Sequence, residues 1–198
     1  LAQTLVQLGQ DAGVNTAALL TDMSTPLGLK IGNALEVEES VEVLSGGGPK
    51  DVVELTVELA KEMLNQAGVH GVDPSENLRN GKAMDKWRQM ISAQGGNPDA
   101  ELPKAKHSHQ ILATESGFVS RLDALDVGVA SWRLGAGRER KEDAVQFGAG
   151  IELAVQIGSH VEAGQPLMTL FTDTEEKFER AIELASGAVE ISALPVAE

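Results

Sequence analysis

The apolar positions of this chain change their spacing about halfway along it. In the first half they recur at three and four residues, the period of a helix with one buried face. Leu1, Leu5, Leu8 and Ala12 begin this pattern, and Gly13 stands where a helix C-cap belongs. Thr16-Ala17-Ala18-Leu19-Leu20-Thr21 is a run of small and apolar residues without alternation, which predicts a buried strand covered on both faces. A turn-rich loop over 22–28 comes next. Helix, strand and loop in that order have the rhythm of an α/β sheet, with the loop at the end of the strand where such folds bind ligands. Asn33 is placed to cap a helix whose apolar stripe is Ala34, Val37, Val41 and Leu44, opposite Glu36, Glu38 and Glu42. Gly46-Gly47-Gly48 breaks that helix, and Pro49 opens a longer one that reaches about Ala67 and stops at Gly68. Two more helices are predicted over Ser75–Arg79 and Lys82–Ala93, the second burying Trp87, Met90 and Ile91.

The turn residues Gly95-Gly96-Asn97-Pro98 mark a boundary. Beyond it, short β-branched and apolar stretches alternate with glycines, and strands are predicted over 109–113, 118–119, 127–130 and 167–171, then a last helix over 174–185. The fold class expected is therefore α/β, or an α+β piece of it. Residues 1–98 read as part of an α/β domain and 99–198 as a β-rich domain with a terminal helix.

Composition narrows the function. The 198 residues suffice for one large domain or two small ones. Neither a membrane-spanning run nor a targeting segment is visible, and a start at Leu1 rather than Met is expected of a chain whose beginning has been removed. The absence of Cys excludes disulfides, thiolate zinc sites and thiol nucleophiles, and is compatible with the cytoplasm. A formal net charge of −14, with 3% aromatic residues and no Tyr, argues against nucleic acid as a partner.

Several motifs invite chemistry and lose to plainer readings. Gly46-Gly47-Gly48-Pro49-Lys50 precedes a helix as an anion loop does, but it lacks Gly-Lys-Ser/Thr and Pro removes an amide, so a helix–helix turn is expected. His107 and His109 share one face of a strand, yet no carboxylate stands at ligand spacing, and a solvated face is the better reading. Ser116 and Ser131 lack the pattern of a hydrolase triad. Arg138, Arg140 and Lys141 form the densest positive patch, with Glu139, Glu142 and Asp143 to neutralise it by salt bridging. Gly117-Phe118-Val119 and the run from Gly158 to Leu167 resemble the two halves of a biotinyl/lipoyl-type barrel-sandwich. A carrier of that type needs a lysine at the next hairpin tip, where this chain reads Phe171-Thr172-Asp173-Thr174. A non-catalytic carrier-like or interaction module is the alternative to an enzyme.

The run from Thr21 through Asp22-Met23-Ser24-Thr25-Pro26-Leu27-Gly28, continuing as Gly32-Asn33-Ala34-Leu35-Glu36-Val37-Glu38-Glu39, resembles the thymidine and pyrimidine-nucleoside phosphorylases. So do Gly46-Gly47-Gly48-Pro49 with Asp51 and Glu54-Leu55, Asn80-Gly81-Lys82-Ala83, Gln94-Gly95-Gly96, and Gly135-Ala136-Gly137-Arg138 with Lys141-Glu142-Asp143, all in register. The resemblance implies a pentosyltransferase that splits a pyrimidine nucleoside with phosphate. It implies a homodimeric cytoplasmic enzyme with an α/β domain beside a smaller β-rich one. The family's phosphate loop, catalytic His and base-holding residues are expected upstream of Leu1, so no catalytic or substrate-binding residue is assigned here. No cofactor is needed for the chemistry. A monovalent or calcium-like cation is expected in some members, held by backbone carbonyls at Leu27 and Lys30 and by the Glu39 carboxylate. The plainer reading of Glu39 is a cap or salt bridge on an acidic helix.

Overall fold

Residues 1–138 and 140–196 are described by a computed structural model of the chain. The first half is helical, as its periodicity predicts. Helix α1 (Ala2–Asp11) ends at Ala12, and Gly13 turns the chain with φ 75°. The next segment is not the predicted buried strand. Residues 14–20 lie in no helix or strand, and Leu20 is 88% exposed. A strand is held by a neighbour's N–H and C=O groups, and among the described residues none runs beside this one.

Strand β1 (Lys30–Gly32) and helix α2 (Ala34–Leu44) come next. Asn33 precedes the helix without capping it through its side chain, donating instead from Nδ2 to the carbonyl of Ala136 at 2.6 Å. Glu36 in the first turn reaches back past the N-cap, and its Oε1 accepts the Gly32 N–H at 2.9 Å, tying the helix entry to β1. The face that α2 buries is Ala34, Glu39 and Val43, while Val37 of the predicted stripe is exposed. Helix α3 (Lys50–Gln66) has Pro49 just outside its first turn and Gly68 just past its end. Helices α4 (Ser75–Arg79) and α5 (Lys82–Ala93) lie where the pattern put them. Trp87 and Ile91 are half-buried rather than buried, and Met90 is exposed.

The core belongs to the second half. Its elements are β2 (His107–Leu112), β3 (Gly117–Leu122), α6 (Ala124–Ser131), β4 (Gly150–Leu153), β5 (His160–Val161), β6 (Pro166–Thr172), α7 (Phe178–Gly187) and β7 (Val189–Ser192). A π-helical turn, Trp132–Ala136, continues α6, and one 3-10 turn, Glu175–Lys177, leads into α7. Among the described residues the strands form two antiparallel sheets, in the orders β1-β4-β6-β2 and β5-β3-β7, and neither closes into a barrel. Val119, Ile151, Met168 and Leu170 from the sheets meet Val127, Leu134 and the small residues Ala181 and Ala185 from the helices, all fully buried.

Two expectations fail here for local reasons. Residues 127–130 are helical, because Asp123 accepts the Asp126 N–H at 2.9 Å and caps α6. A short apolar run cannot by itself distinguish strand from buried helix, and the cap decides. The last predicted helix is present as α7 but is not terminal, since Val189 and Ile191 follow it along β7, which pairs with β3.

β1 comes from the first half of the chain, yet it is the outer strand of the larger sheet, with Ile31 opposite Ile151 and Gly32 opposite Gly150. The two glycines are needed for this approach. A Cβ on Gly32 would lie 2.6 Å from the Ala149 carbonyl oxygen, and one on Gly150 would overlap that of Ile31.

At the far end of β6, fully buried Thr172 donates from Oγ1 to the Leu134 carbonyl at 2.7 Å and accepts the Thr174 N–H at 3.2 Å. Thr172→Val keeps the shape and strands both partners, so it should cost about 1–3 kcal/mol. Urea unfolding measures this directly, and an unchanged midpoint would show that the hydroxyl contributes nothing.

Candidate functional site

The loop before β1 is a place where carboxylates from two helices gather around a bare backbone. Gly28 adopts φ 73°, a conformation open to glycine, and its N–H donates to Asp51 Oδ2 on α3 at 2.9 Å. The next amide, Leu29 N–H, donates to Glu39 Oε1 on α2 at 2.8 Å. Two carboxylates from two helices thus hold two consecutive amides. A side chain at position 28 would overlap Glu39 Oε2, so the approach of that carboxylate to the backbone requires glycine.

Strand pairing orients the peptides after Gly28. The Leu29 carbonyl accepts the Leu153 N–H at 2.7 Å. Hydrogen-bonding sides alternate along an antiparallel strand, so the N–H and C=O of Lys30 point to the opposite edge of β1, away from β4. The Glu39 carboxylate, which accepts the Leu29 N–H, is close enough to the Lys30 backbone for that amide to favour its charged form. The Lys30 ammonium goes elsewhere, to Glu38 Oε2 at 2.8 Å. Burial alone would lower its pKa. The bond to Glu38 and the negative charges of Glu38, Glu152 and Glu42 outweigh that and raise it.

Glu39 is 6% exposed. Burial pushes its pKa above the ordinary 4.5, and the charge of Asp51 pushes the same way, while the Leu29 and Lys30 N–H groups and the Lys30 charge oppose them. The salt bridge of the plainer reading is made by its neighbour Glu38, and Glu39 binds backbone. Of the three residues expected at a cation site, Lys30 and Glu39 are brought together. Leu27 is half-exposed, one residue before Gly28. Among the described residues no three metal-ligating side chains gather anywhere, so any cation held here would lean on backbone oxygens. Hard cations accept carbonyl and carboxylate donors alike, and this donor set has the right chemistry for one.

Asp51 was missed by sequence reasoning. An acidic residue in a first helical turn usually serves its own helix, and Oδ1 does accept the Val52 N–H at 2.9 Å. Nothing in the sequence says that its other oxygen reaches back 23 residues to Gly28. Beside this pair, Asp22, Thr25, Pro26, Leu122, Gln156 and Ile157 complete a cleft of about 390 Å³.

The remaining candidates fall apart on inspection of their surroundings. His107 and His109 lie exposed along β2, with the His109 ring 5.8 Å from that of Phe178. Ser116 Oγ accepts the Ala163 N–H at 2.9 Å and donates to Glu162 Oε2 at 3.0 Å, tying two turns together. The Asp143 carboxylate accepts the backbone N–H of Arg140 at 2.8 Å instead of pairing with its guanidinium, so the expected neutralisation is a turn contact there. Glu139 lies outside the described residues. Phe171-Thr172-Asp173-Thr174 is no hairpin tip either. Gln146 Oε1 accepts the Asp173 N–H at 2.7 Å and its Nε2 donates to Thr174 Oγ1 at 2.8 Å, which anchors the segment inward and removes the carrier reading. Gly46-Gly47-Gly48-Pro49 is the turn between α2 and α3, as expected. No helix among the described residues is long and apolar enough to cross a membrane.

Comparison with known proteins places the chain's sequence beside one family. The family described as the pyrimidine nucleoside phosphorylase C-terminal domain matches residues 118–192. A thymidine phosphorylase of Mycobacterium tuberculosis (strain ATCC 25618 / H37Rv) is 53% identical over 188 residues, covering 94% of this chain and 44% of that protein. Pyrimidine-nucleoside phosphorylases of Staphylococcus epidermidis (strain ATCC 12228 / FDA PCI 1200) and Bacillus subtilis (strain 168) are each 39% identical, over 187 and 186 residues and 43% of their length. The chain therefore spans less than half the length of the curated relatives it matches.

Burial of Glu39 makes the folded chain hold its proton more tightly than the unfolded chain does. Its contribution to stability is present below pH 4.5 and is lost as pH rises through the higher folded value. Glu39→Gln, which still accepts the Leu29 N–H, should remove that decline. Urea midpoints taken at steps upward from pH 4.5 should fall for the parent relative to the variant. Parallel curves would mean that Glu39 titrates as it does in an open chain.

Proposed function

Because the chain belongs to the thymidine and pyrimidine-nucleoside phosphorylase family, matching its C-terminal portion, we propose that the longer protein cleaves pyrimidine nucleosides, thymidine among them, with inorganic phosphate. The bond from the sugar to the base nitrogen breaks and a phosphate oxygen takes its place at the sugar carbon. The products are free base and (deoxy)ribose 1-phosphate, a pentosyl transfer in pyrimidine salvage and catabolism. The observation that carries this reading is 53% identity sustained over 188 residues. A cytoplasmic homodimer is the expected form.

This chain's part in that activity is architectural. No Lys-x-Ser-Thr-Gly-Gly phosphate loop occurs in the 198 residues, and the groups that position phosphate and base are expected elsewhere in the longer protein. Leu27 and Lys30 carbonyls with the Glu39 carboxylate would hold a monovalent or calcium-like cation. Such a cation supplies fixed positive charge that ties this loop to the phosphate loop. Glu39 presents a buried carboxylate to it, and the Lys30 ammonium stays turned toward Glu38.

The 198-residue chain alone, given thymidine and phosphate, should release no thymine above the enzyme-free blank, while the full-length protein turns over. Turnover by the isolated chain would overturn this assignment of roles. In the full-length protein, Glu39→Gln should raise the phosphate KM and weaken its dependence on potassium. If neither changes, Glu39 is a structural residue only.

A further inference from the structure

The cation reading leaves open what holds the Leu27 carbonyl in place, because Leu27 is half-exposed and lies outside β1. The other backbone donor has an evident support. Lys30 is in a strand, and pairing with β4 fixes which way its carbonyl points. Leu27 has no such partner, but the peptide linking it to Gly28 does. A trans peptide is planar, with its C=O and N–H directed oppositely, so whatever grips the Gly28 N–H also orients the Leu27 C=O. That grip is Asp51 Oδ2, at 2.9 Å.

We propose that Asp51 is a positioning residue, which by holding the Gly28 amide aims the Leu27 carbonyl away from α3 and keeps it available as a ligand. This rests on the cation reading above. Three features make Asp51 suited to the task. It lies in the first turn of α3, a 17-residue helix, so its own backbone is rigid. Its second oxygen is occupied by the Val52 N–H, which locks the carboxylate's rotation. Gly28 itself has φ 73° and packs against Val52 of the same helix turn, so the loop meets α3 at one defined point. Glu39 performs the matching duty on the next amide, Leu29 N–H. The two carboxylates divide the work, Asp51 orienting one peptide and Glu39 standing beside the next.

Asp51 also satisfies an amide of its own helix, so loss of function on substitution would not by itself separate aiming from simple support. Two measurements do. In the 198-residue chain, hydrogen exchange at Gly28 should accelerate roughly tenfold or more in Asp51→Ala, as loss of a charge-assisted hydrogen bond implies. Asp51→Asn keeps an acceptor and should restore most of the protection. Unchanged exchange in Asp51→Ala would overturn the clamp. In the full-length protein without substrate, potassium or calcium should raise the melting temperature of the parent. Asp51→Ala should abolish that rise and Asp51→Asn should keep part of it. A merely supporting role would lower the melting temperature equally with and without cation, and that result would overturn the aiming role. Glu39→Gln serves as the reference. If it abolishes the rise while Asp51→Ala leaves it intact, the cation reading stands and the role given to Asp51 falls. If the parent shows no rise, or Glu39→Gln does not affect it, the cation reading fails and takes the aiming role with it.

Discussion

Three residues of β1 laid along β4 determine where everything else in the first half of this chain can go. The pairing is short, Lys30 to Gly32 against Gly150 to Glu152, and it joins segments about 120 residues apart in sequence. It is reinforced at both ends by bonds that leave no freedom of register. Leu29 C=O accepts from Leu153 on one side, and the Ala34 N–H donates to Phe147 on the other. A slip by one residue would turn Ile31 away from the core and drive a side chain into the Gly32–Gly150 contact. With that register set, α2 follows β1 directly and brings Glu39 to the Leu29 amide, and α3 brings Asp51 to the Gly28 amide.

The candidate site is thus a product of sheet pairing more than of the loop's own sequence. Its chemistry is backbone chemistry. The amides of Gly28 and Leu29 are consumed by carboxylates, and what remains directed outward is carbonyl oxygen. Such an arrangement suits a hard cation.

Helix after helix of the first half could be read from spacing and punctuation, because a glycine or proline stands at or near both ends of α2 to α5 and past the end of α1. The β-rich character of the second half was also legible. What spacing could not supply was the partner of each segment. Thr16–Ala17–Ala18–Leu19–Leu20 has strand composition but, among the described residues, no strand beside it, whereas Lys30–Ile31–Gly32, with no such composition, is recruited into a sheet by distant residues. The same limit applies to the site. Glu39 was named through family resemblance, and its burial follows from the fold. Asp51 stood among the residues of the family resemblance but gave no sign of a part in this site, because its oxygen is aimed by the start of α3 at a glycine that only tertiary structure brings near.

The uneven distribution of burial has a calorimetric meaning. Helices α1, α3, α4 and α5 contain no buried residue, while nearly all fully buried side chains lie beyond residue 110. Heat-capacity change and denaturant sensitivity both scale with the apolar surface exposed on unfolding. The helical half of this chain should therefore contribute a minor share of the heat absorbed on unfolding. The larger share should belong to the sheets, together with the three residues of β1 that they hold.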